Sequence, residues 1–205
     1  MKVYFVRHGS TESWEKQICQ TEFEPLNQKG QIQVQKLAQR LKKMNFDLII
    51  SSPYLRTVQT TQAISSDFLI SPLFTEVKKP KEVVGKVGTI PYVTTILDKI
   101  EQMYLIDPHW HYSDEENFED LKNRGLKALK FLESQNKENI LVVSHCYFIS
   151  ILIGLMMLSE KFSPEVLLGL KKVFYMENTG ISICSYENNR WQFQCWNDYS
   201  HLLSE

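Results

Sequence analysis

Excess charge of either sign is missing from this chain: Lys and Arg total 23 against 24 for Asp and Glu in 205 residues, a formal net charge of −1. Such a balance produces no long-range field to gather nucleic acid or an anionic membrane, so neither is an expected partner and any bound anion must be held locally. Cysteine is scarce as well. Cys19, Cys146, Cys184 and Cys195 are scattered, form no C-x-x-C pair and lie mostly within apolar or aromatic stretches, so they read as reduced core residues. Long hydrophobic runs are also lacking. The longest, Cys146 to Leu158, has 13 residues where a bilayer span needs about twenty, so it reads as a buried helix. The N-terminal run Met1 to Val6 turns charged at Arg7, too early for a signal-peptide core, and a cytoplasmic location is expected. No internal repeat, low-complexity tract or linker interrupts the chain.

What is present is ordinary globular material, with 43% hydrophobic and 23% charged residues. The length suits one compact domain spanning residues 1–205 and is too short for two of full size. Val3–Val6 is a short β-branched and aromatic run closed by Arg7-His8-Gly9, as expected of a strand buried on both faces. Asn27 can cap a helix with apolar positions Val34, Leu37, Ala38 and Leu41, ending near Asn45. A second strand is expected at Asp47–Ser51, a helix from Tyr54 to Ser65 and a third strand at Phe68–Phe74. Pro80, Gly85, Gly88 and Pro91 then break regular structure, which predicts an irregular insertion with a helix near Tyr92–Tyr104. A long helix follows from Glu115 to Ser134, with Phe118, Leu121, Gly125, Ala128, Leu129 and Leu132 on one face, and then a buried strand at Ile140–Ser144. Gly180–Tyr186 and Trp191–Trp196 flank a turn and predict an edge hairpin. Alternating strands and helices predict an α/β fold: an open, mostly parallel sheet with helices on both faces and a helical or irregular insertion after the third strand.

In open α/β sheets, ligands gather beyond the C-terminal ends of the strands. Those ends carry Arg7-His8-Gly9, Ser51-Ser52-Pro53 leading to Arg56, and His145. Two guanidinium forks and two imidazoles can balance the charge on the three equatorial oxygens of a transferring phosphoryl group. A histidine can itself attack phosphorus if one ring nitrogen is held by a backbone acceptor while the other keeps its lone pair toward the substrate. Gly9 is expected to let the backbone pass close to the bound anion.

Arg7-His8-Gly9-Ser10-Thr11-Glu12, then Ser51-Ser52-Pro53-Tyr54-Leu55-Arg56-Thr57-Val58-Gln59-Thr60, and Val143-Ser144-His145 resemble the histidine phosphatase superfamily, the phosphoglycerate mutase-like group. The likeness extends to Asn178-Thr179-Gly180-Ile181-Ser182 and Trp196-Asn197-Asp198, with its blocks in the family's order. The resemblance implies that His8 is the nucleophile and that Arg7, Arg56 and His145 form the phosphate pocket. It also implies a carboxylate proton donor after the third strand, where Glu76 stands, although Glu82 lies six residues on. Ser10 and Thr11 are candidate hydrogen-bond donors to phosphate or loop caps, and Cys146 is a further substrate-binding candidate. Trp14, Thr21 and Cys146 stand where relatives often have Asn, Gly and Gly, so substrate contacts do not carry over.

Mutase members of that family tend to have a longer stretch between the acid and the second histidine and an adjacent pair of arginines; here only 69 positions separate Glu76 from His145 and no Arg-Arg pair occurs, so the resemblance favours hydrolysis over mutase transfer. A mutase and a non-catalytic phosphate-binding regulator are the alternatives, and an intact nucleophile and acid argue against the second. His109 and His111 with Asp107 and Asp114 lack the spacing of zinc motifs and read as a polar loop, so no metal and no cofactor is expected. Cys146 reads as a small packed hydrophobe rather than a redox switch. Lys78-Lys79-Pro80-Lys81 reads as a solvated run that could draw anions to the pocket mouth. Trp14, Phe23, Tyr92, Tyr104, Trp110 and Tyr112 are expected to shape that mouth. The expected partner is a small phosphorylated molecule, and a homodimer is left open.

Overall fold

Six strands form one sheet in the order β3-β2-β4-β1-β5-β6 in the computed structural model, which describes residues 1–203. The strands are β1 (Lys2–Arg7), β2 (Leu48–Ser51), β3 (Leu69–Ile70), β4 (Asn139–Ser144), β5 (Ile181–Glu187) and β6 (Arg190–Asp198). Their ladders β1–β4, β2–β4 and β2–β3 are parallel, while β5 runs antiparallel to both of its neighbours. The helices are α1 (Glu12–Glu15), α2 (Gln28–Leu41), α3 (Leu55–Gln62), α4 (Pro91–Ile106), α5 (Phe118–Glu133), α6 (Cys146–Leu158), α7 (Pro164–Val173) and α8 (Ser200–Leu203).

Alternation along the central strands explains the layering. Val3, Phe5, Ile140 and Val142 face one way and pack with Leu121, Ala128 and Leu132 of α5 and Ile149 and Leu152 of α6. Tyr4, Val6, Leu141 and Val143 face the other way and pack with Leu37 and Leu41 of α2. Both faces of β1 and β4 are therefore covered, which is why these strands read as continuous apolar runs rather than alternating ones. Each large aliphatic side chain so buried contributes on the order of 1.5–3 kcal/mol.

Register places the strand ends side by side. Arg7 pairs with Ser144 and Val143 with Ser51, so the residues that follow, His8, His145 and Ser52, emerge together at one edge of the sheet. Two further backbone bonds extend the ladders past the strand ends, His8 N–H to Ser144 O at 3.1 Å and Ser52 N–H to Val143 O at 3.0 Å.

Local chemistry accounts for the element ends. Asn27 caps α2 by accepting from Gly30 N–H at 2.8 Å, and Asn117 with Asp120 forms a capping box at the start of α5. The β5–β6 hairpin turns through Asn188 and Asn189, both with positive φ, the backbone of a tight two-residue turn.

Several expectations need correction. The third strand shrinks to Leu69–Ile70, because a 3-10 turn at Pro72–Phe74 takes over where proline has no N–H to donate to a ladder. The α2 helix ends at Leu41 rather than near Asn45, and α5 begins at Phe118 rather than Glu115. Helix α7 was not anticipated; its Leu167 is its one fully covered position, so the apolar signal is weak. Among the described residues no helix is long and apolar enough to cross a membrane.

Candidate active site

His8 follows β1 and is buried. Its Nδ1 lies 2.7 Å from Gly9 O, a carbonyl that can only accept, so Nδ1 carries the proton and Nε2 keeps its lone pair. Arg56 Nε donates toward that Nε2 at 3.2 Å. Burial, then the charges of Arg56 and Arg7, hold the His8 pKa well below the ordinary histidine value, so the ring is neutral at physiological pH. The backbone around it is fixed from the C-terminal part of the chain: Asn178 Nδ2 donates to His8 O at 2.9 Å and Thr179 N–H to Arg7 O at 3.0 Å. Thr179 does this with φ 63°, a strained conformation for a β-branched residue that persists only where tertiary contacts hold it.

Gly9 is also required by packing. A Cβ there would stand 2.9 Å from Gly30 O and 3.0 Å from Val34 Cγ1, so its small size seats β1 against α2. Gly30 answers it: a Cβ on that residue would lie 2.1 Å from Ser10 O.

Arg56, in the first turn of α3, is 1% exposed. Its Nη1 donates to Thr21 O at 2.7 Å and its Nη2 to His145 Nδ1 at 3.2 Å. Burial lowers its pKa to about 10, which still leaves it charged at neutral pH. Because His145 Nδ1 accepts from the arginine, the ring proton sits on Nε2 and is donated to Ser52 Oγ at 3.0 Å. Burial, then Arg56, likewise keeps His145 neutral. Tyr54 closes this side, its ring centroid 4.9 Å from the Arg56 guanidinium carbon and 5.1 Å from the His145 ring centroid.

Arg7 reaches the same cleft from β1. Its Nη1 donates to Met176 O, and its guanidinium carbon lies 4.1 Å from the centre of the Trp14 ring and 5.9 Å from that of Tyr175. Its Nε is buried and has no hydrogen-bond partner among the described residues. Such a donor costs about 1–3 kcal/mol and suits an anionic acceptor.

Glu76 lines the same cleft as these cations. Its Oε1 accepts from the N–H groups of Val77 (2.9 Å) and Phe148 (3.1 Å), the latter in the first turn of α6, while Oε2 has no protein partner among the described residues. Glu82 is engaged elsewhere, accepting from Ser113 Oγ at 2.7 Å, and does not line the cleft. Ser10 and Thr11 are not brought to the cleft either. Ser10 Oγ donates to Glu15 Oε1 at 2.7 Å, and Thr11 Oγ1 caps α1 by accepting from Trp14 N–H at 3.2 Å. Cys146 does line it, next to Phe174 and Tyr175, and burial raises its thiol pKa, which keeps it protonated. His111 spends both ring nitrogens on its own loop, Nδ1 with Glu115 O at 2.9 Å and Nε2 with Asn117 Nδ2 at 2.8 Å.

The cleft holds about 1300 Å³ and is far larger than one phosphate. Trp14, Phe23, Lys78 and Lys79 line it as anticipated, together with Lys81 and Tyr104. Tyr92, Trp110 and Tyr112 do not line it. Sequence reasoning missed Tyr147, Phe174, Tyr175, Lys171 and Lys172, which also line the cleft, Tyr175 stacking on Trp14 of α1 with ring centroids 6.5 Å apart. Phe174 and Tyr175 are held by β6: the Phe174 and Trp196 rings meet at 4.6 Å, and Trp196 Nε1 donates to Tyr175 O at 2.9 Å. Only the aromatic Phe174-Tyr175 pair beside a lysine pair hinted at it.

Comparison with known proteins gives a consistent result. The sequence profile of the histidine phosphatase superfamily (branch 1) matches residues 3–199. The chain is 27% identical over 216 residues to "Probable phosphoglycerate mutase GpmB" of Proteus mirabilis (strain HI4320), covering 98% of this chain and 95% of that one. It is 25% identical over 202 residues to "Uncharacterized phosphatase PhoE" of Bacillus subtilis (strain 168), covering 98% and 96%. The crystal structure of the alpha-ribazole phosphatase from Shigella flexneri superposes with a TM-score of 0.79 at 21% identity over 97% of each chain, a likeness of fold.

Proposed function

We propose, for a chain that belongs to the histidine phosphatase superfamily and is a phosphoric monoester hydrolase, that His8 is the nucleophile and Glu76 the proton donor. The reading takes residues 1–205 as one histidine phosphatase domain acting on a small phosphorylated molecule. In the first step His8 Nε2 forms a bond to phosphorus as the ester P–O bond breaks, and the leaving oxygen takes its proton from Glu76. The Glu76 carboxylate then accepts a proton from water as the water oxygen bonds to phosphorus and the N–P bond breaks, releasing inorganic phosphate and neutral His8. Arg7, Arg56 and His145 stabilise the equatorial oxygens in both steps. Two guanidinium groups supply the charge that a metal would otherwise bring, so the reading needs none.

The observation that carries this reading is the His8 ring, with Nδ1 held by Gly9 O and Nε2 facing Arg56 in a buried, neutral state. Quenching turnover with alkali is expected to trap base-stable, acid-labile phosphate on His8, and His8→Ala to abolish both phosphate labelling and turnover. Full activity in His8→Ala refutes the assignment. A mutase reading is favoured by the name of the Proteus mirabilis relative. The 69-position spacing and missing Arg-Arg pair weigh against it. With 3-phosphoglycerate and a trace of 2,3-bisphosphoglycerate, the same quench is expected to yield inorganic phosphate and little 2-phosphoglycerate.

A further inference from the structure

Glu76 sits on an irregular segment between the 3-10 turn Pro72–Phe74 and α4, where no ladder or helix stiffens the chain. Its far part, residues 85–88, bonds to the backbone of residues 17–19, but next to Glu76 one ion pair takes the leading part. Arg124 of α5 donates from Nη1 to the carbonyl oxygens of Leu73 (3.2 Å) and Thr75 (2.9 Å). Its Nε and Nη2 grip Glu116 Oε1 and Oε2 at 2.6 and 2.8 Å, so four of its five N–H donors are spent on fixed acceptors. Glu116 passes the restraint on, its Oε2 accepting from Lys78 N–H at 2.9 Å and its own N–H donating to Lys78 O at 3.2 Å. Residues on both sides of Glu76 are thereby tied to the same pair. The Arg124 guanidinium carbon also lies 3.9 Å from the centre of the Phe148 ring, and Phe148 N–H is the group that binds Glu76 Oε1.

We infer that Arg124, locked by Glu116, is a positioning residue for the proton donor: it touches neither the carboxylate nor the cleft but sets where Glu76 stands. The inference rests on the reading of Glu76 as the acid. A displacement of about 1 Å can cost a reaction about a hundredfold, and the mobile segment left by loss of the fork would allow one.

The test compares single-turnover phosphorylation of 2-glycerophosphate, whose alkoxide must be protonated as it leaves, with that of 4-nitrophenyl phosphate, whose phenolate leaves with little help. Glu76→Gln, Arg124→Gln and Glu116→Gln are measured singly, and Arg124→Gln also in the Glu76→Gln background. Arg124→Gln is expected to slow the glycerol ester about ten- to hundredfold and the nitrophenyl ester far less, and to add little once Glu76 is gone. Glu116→Gln, which weakens only the lock, is expected to show the same preference more mildly and guards against a failure of Arg124→Gln to fold. Equal slowing of both esters by folded variants overturns the positioning role, as does a full additional loss in the Glu76→Gln background. If Glu76→Gln itself shows no ester preference, the acid assignment falls and takes this inference with it. A preference in Glu76→Gln but in neither other variant removes the positioning role alone.

Discussion

The floor of the cleft and its mouth are built by different rules. Floor residues leave adjacent parallel strands or start the helices that follow and are nearly inaccessible; Arg56 alone spends Nε, Nη1 and Nη2 on His8, Thr21 and His145. Mouth residues come from α1, the irregular insertion and the segment after α7, and remain open, with Trp14 40% and Tyr175 50% exposed. A lost bond in the floor leaves a buried charge or lone pair without a partner, whereas a lost contact at the mouth is replaced by water. On the proposed reading the floor carries the nucleophile and the phosphate-binding cations, the insertion lends the proton donor Glu76, and the rest of the mouth sets substrate choice, so substitutions should separate floor from mouth.

Arg56→Gln makes the largest test. Removing a fixed cation that faces the transferring group is expected to lower kcat/KM by about a hundredfold to a thousandfold. It should also move the acid limb of the pH profile. As the proposed nucleophile His8 must be neutral to act, and burial followed by Arg56 holds its pKa well below the ordinary histidine value, so the parent keeps activity as pH falls through about 6.5. Without the Arg56 charge, protonation becomes easier and the limb shifts to higher pH. The substrate's own second ionisation, near 6, affects parent and variant alike and cancels in the comparison. A limb that stays in place shows that the arginine does not act on the His8 imidazole.

Trp14→Ala is the intermediate case, since Trp14 belongs to the mouth but lies over a floor residue. Loss of its contact with the Arg7 guanidinium is worth about 0.5–2 kcal/mol, or about two- to thirtyfold in kcat/KM, and Trp14→Phe should restore most of it. A loss as large as that of Arg56→Gln would erase the distinction between the regions. Chelation should do least. Exhaustive EDTA treatment is expected to leave turnover unchanged, because the floor cations balance the phosphoryl charge and His111 is committed to its own loop. Loss of activity restored by one divalent ion would give the insertion a part in the chemistry.

Much of the floor was legible because its signals are local. An apolar run that ends in Arg7-His8-Gly9 marks both a strand and what it delivers, and Val143-Ser144-His145 does the same. The mouth was not legible in this way. Tyr175 stands on the rim because Trp196 and Asn197, some twenty positions later, hold the backbone of residues 175 and 177, and neither end carries a local mark of that pairing. Ser10 and Thr11 could not be decided from sequence for a related reason: a hydroxyl beside a nucleophile can serve phosphate or its own loop, and the side chains here bond to Glu15 and the Trp14 N–H.

What the sequence alone determined is the alternation of strands and helices, the family and the identities of the residues at the strand ends, since hydrophobic period and short motifs depend on neighbours along the chain. Tertiary structure decided that Glu76 rather than Glu82 lines the cleft with the cations, that Gly9 packs against α2, and that an Arg124–Glu116 pair distant in sequence binds the backbone on both sides of Glu76. These depend on which residues meet across the fold, and that is set by strand register and by the requirement that each buried charge find a partner.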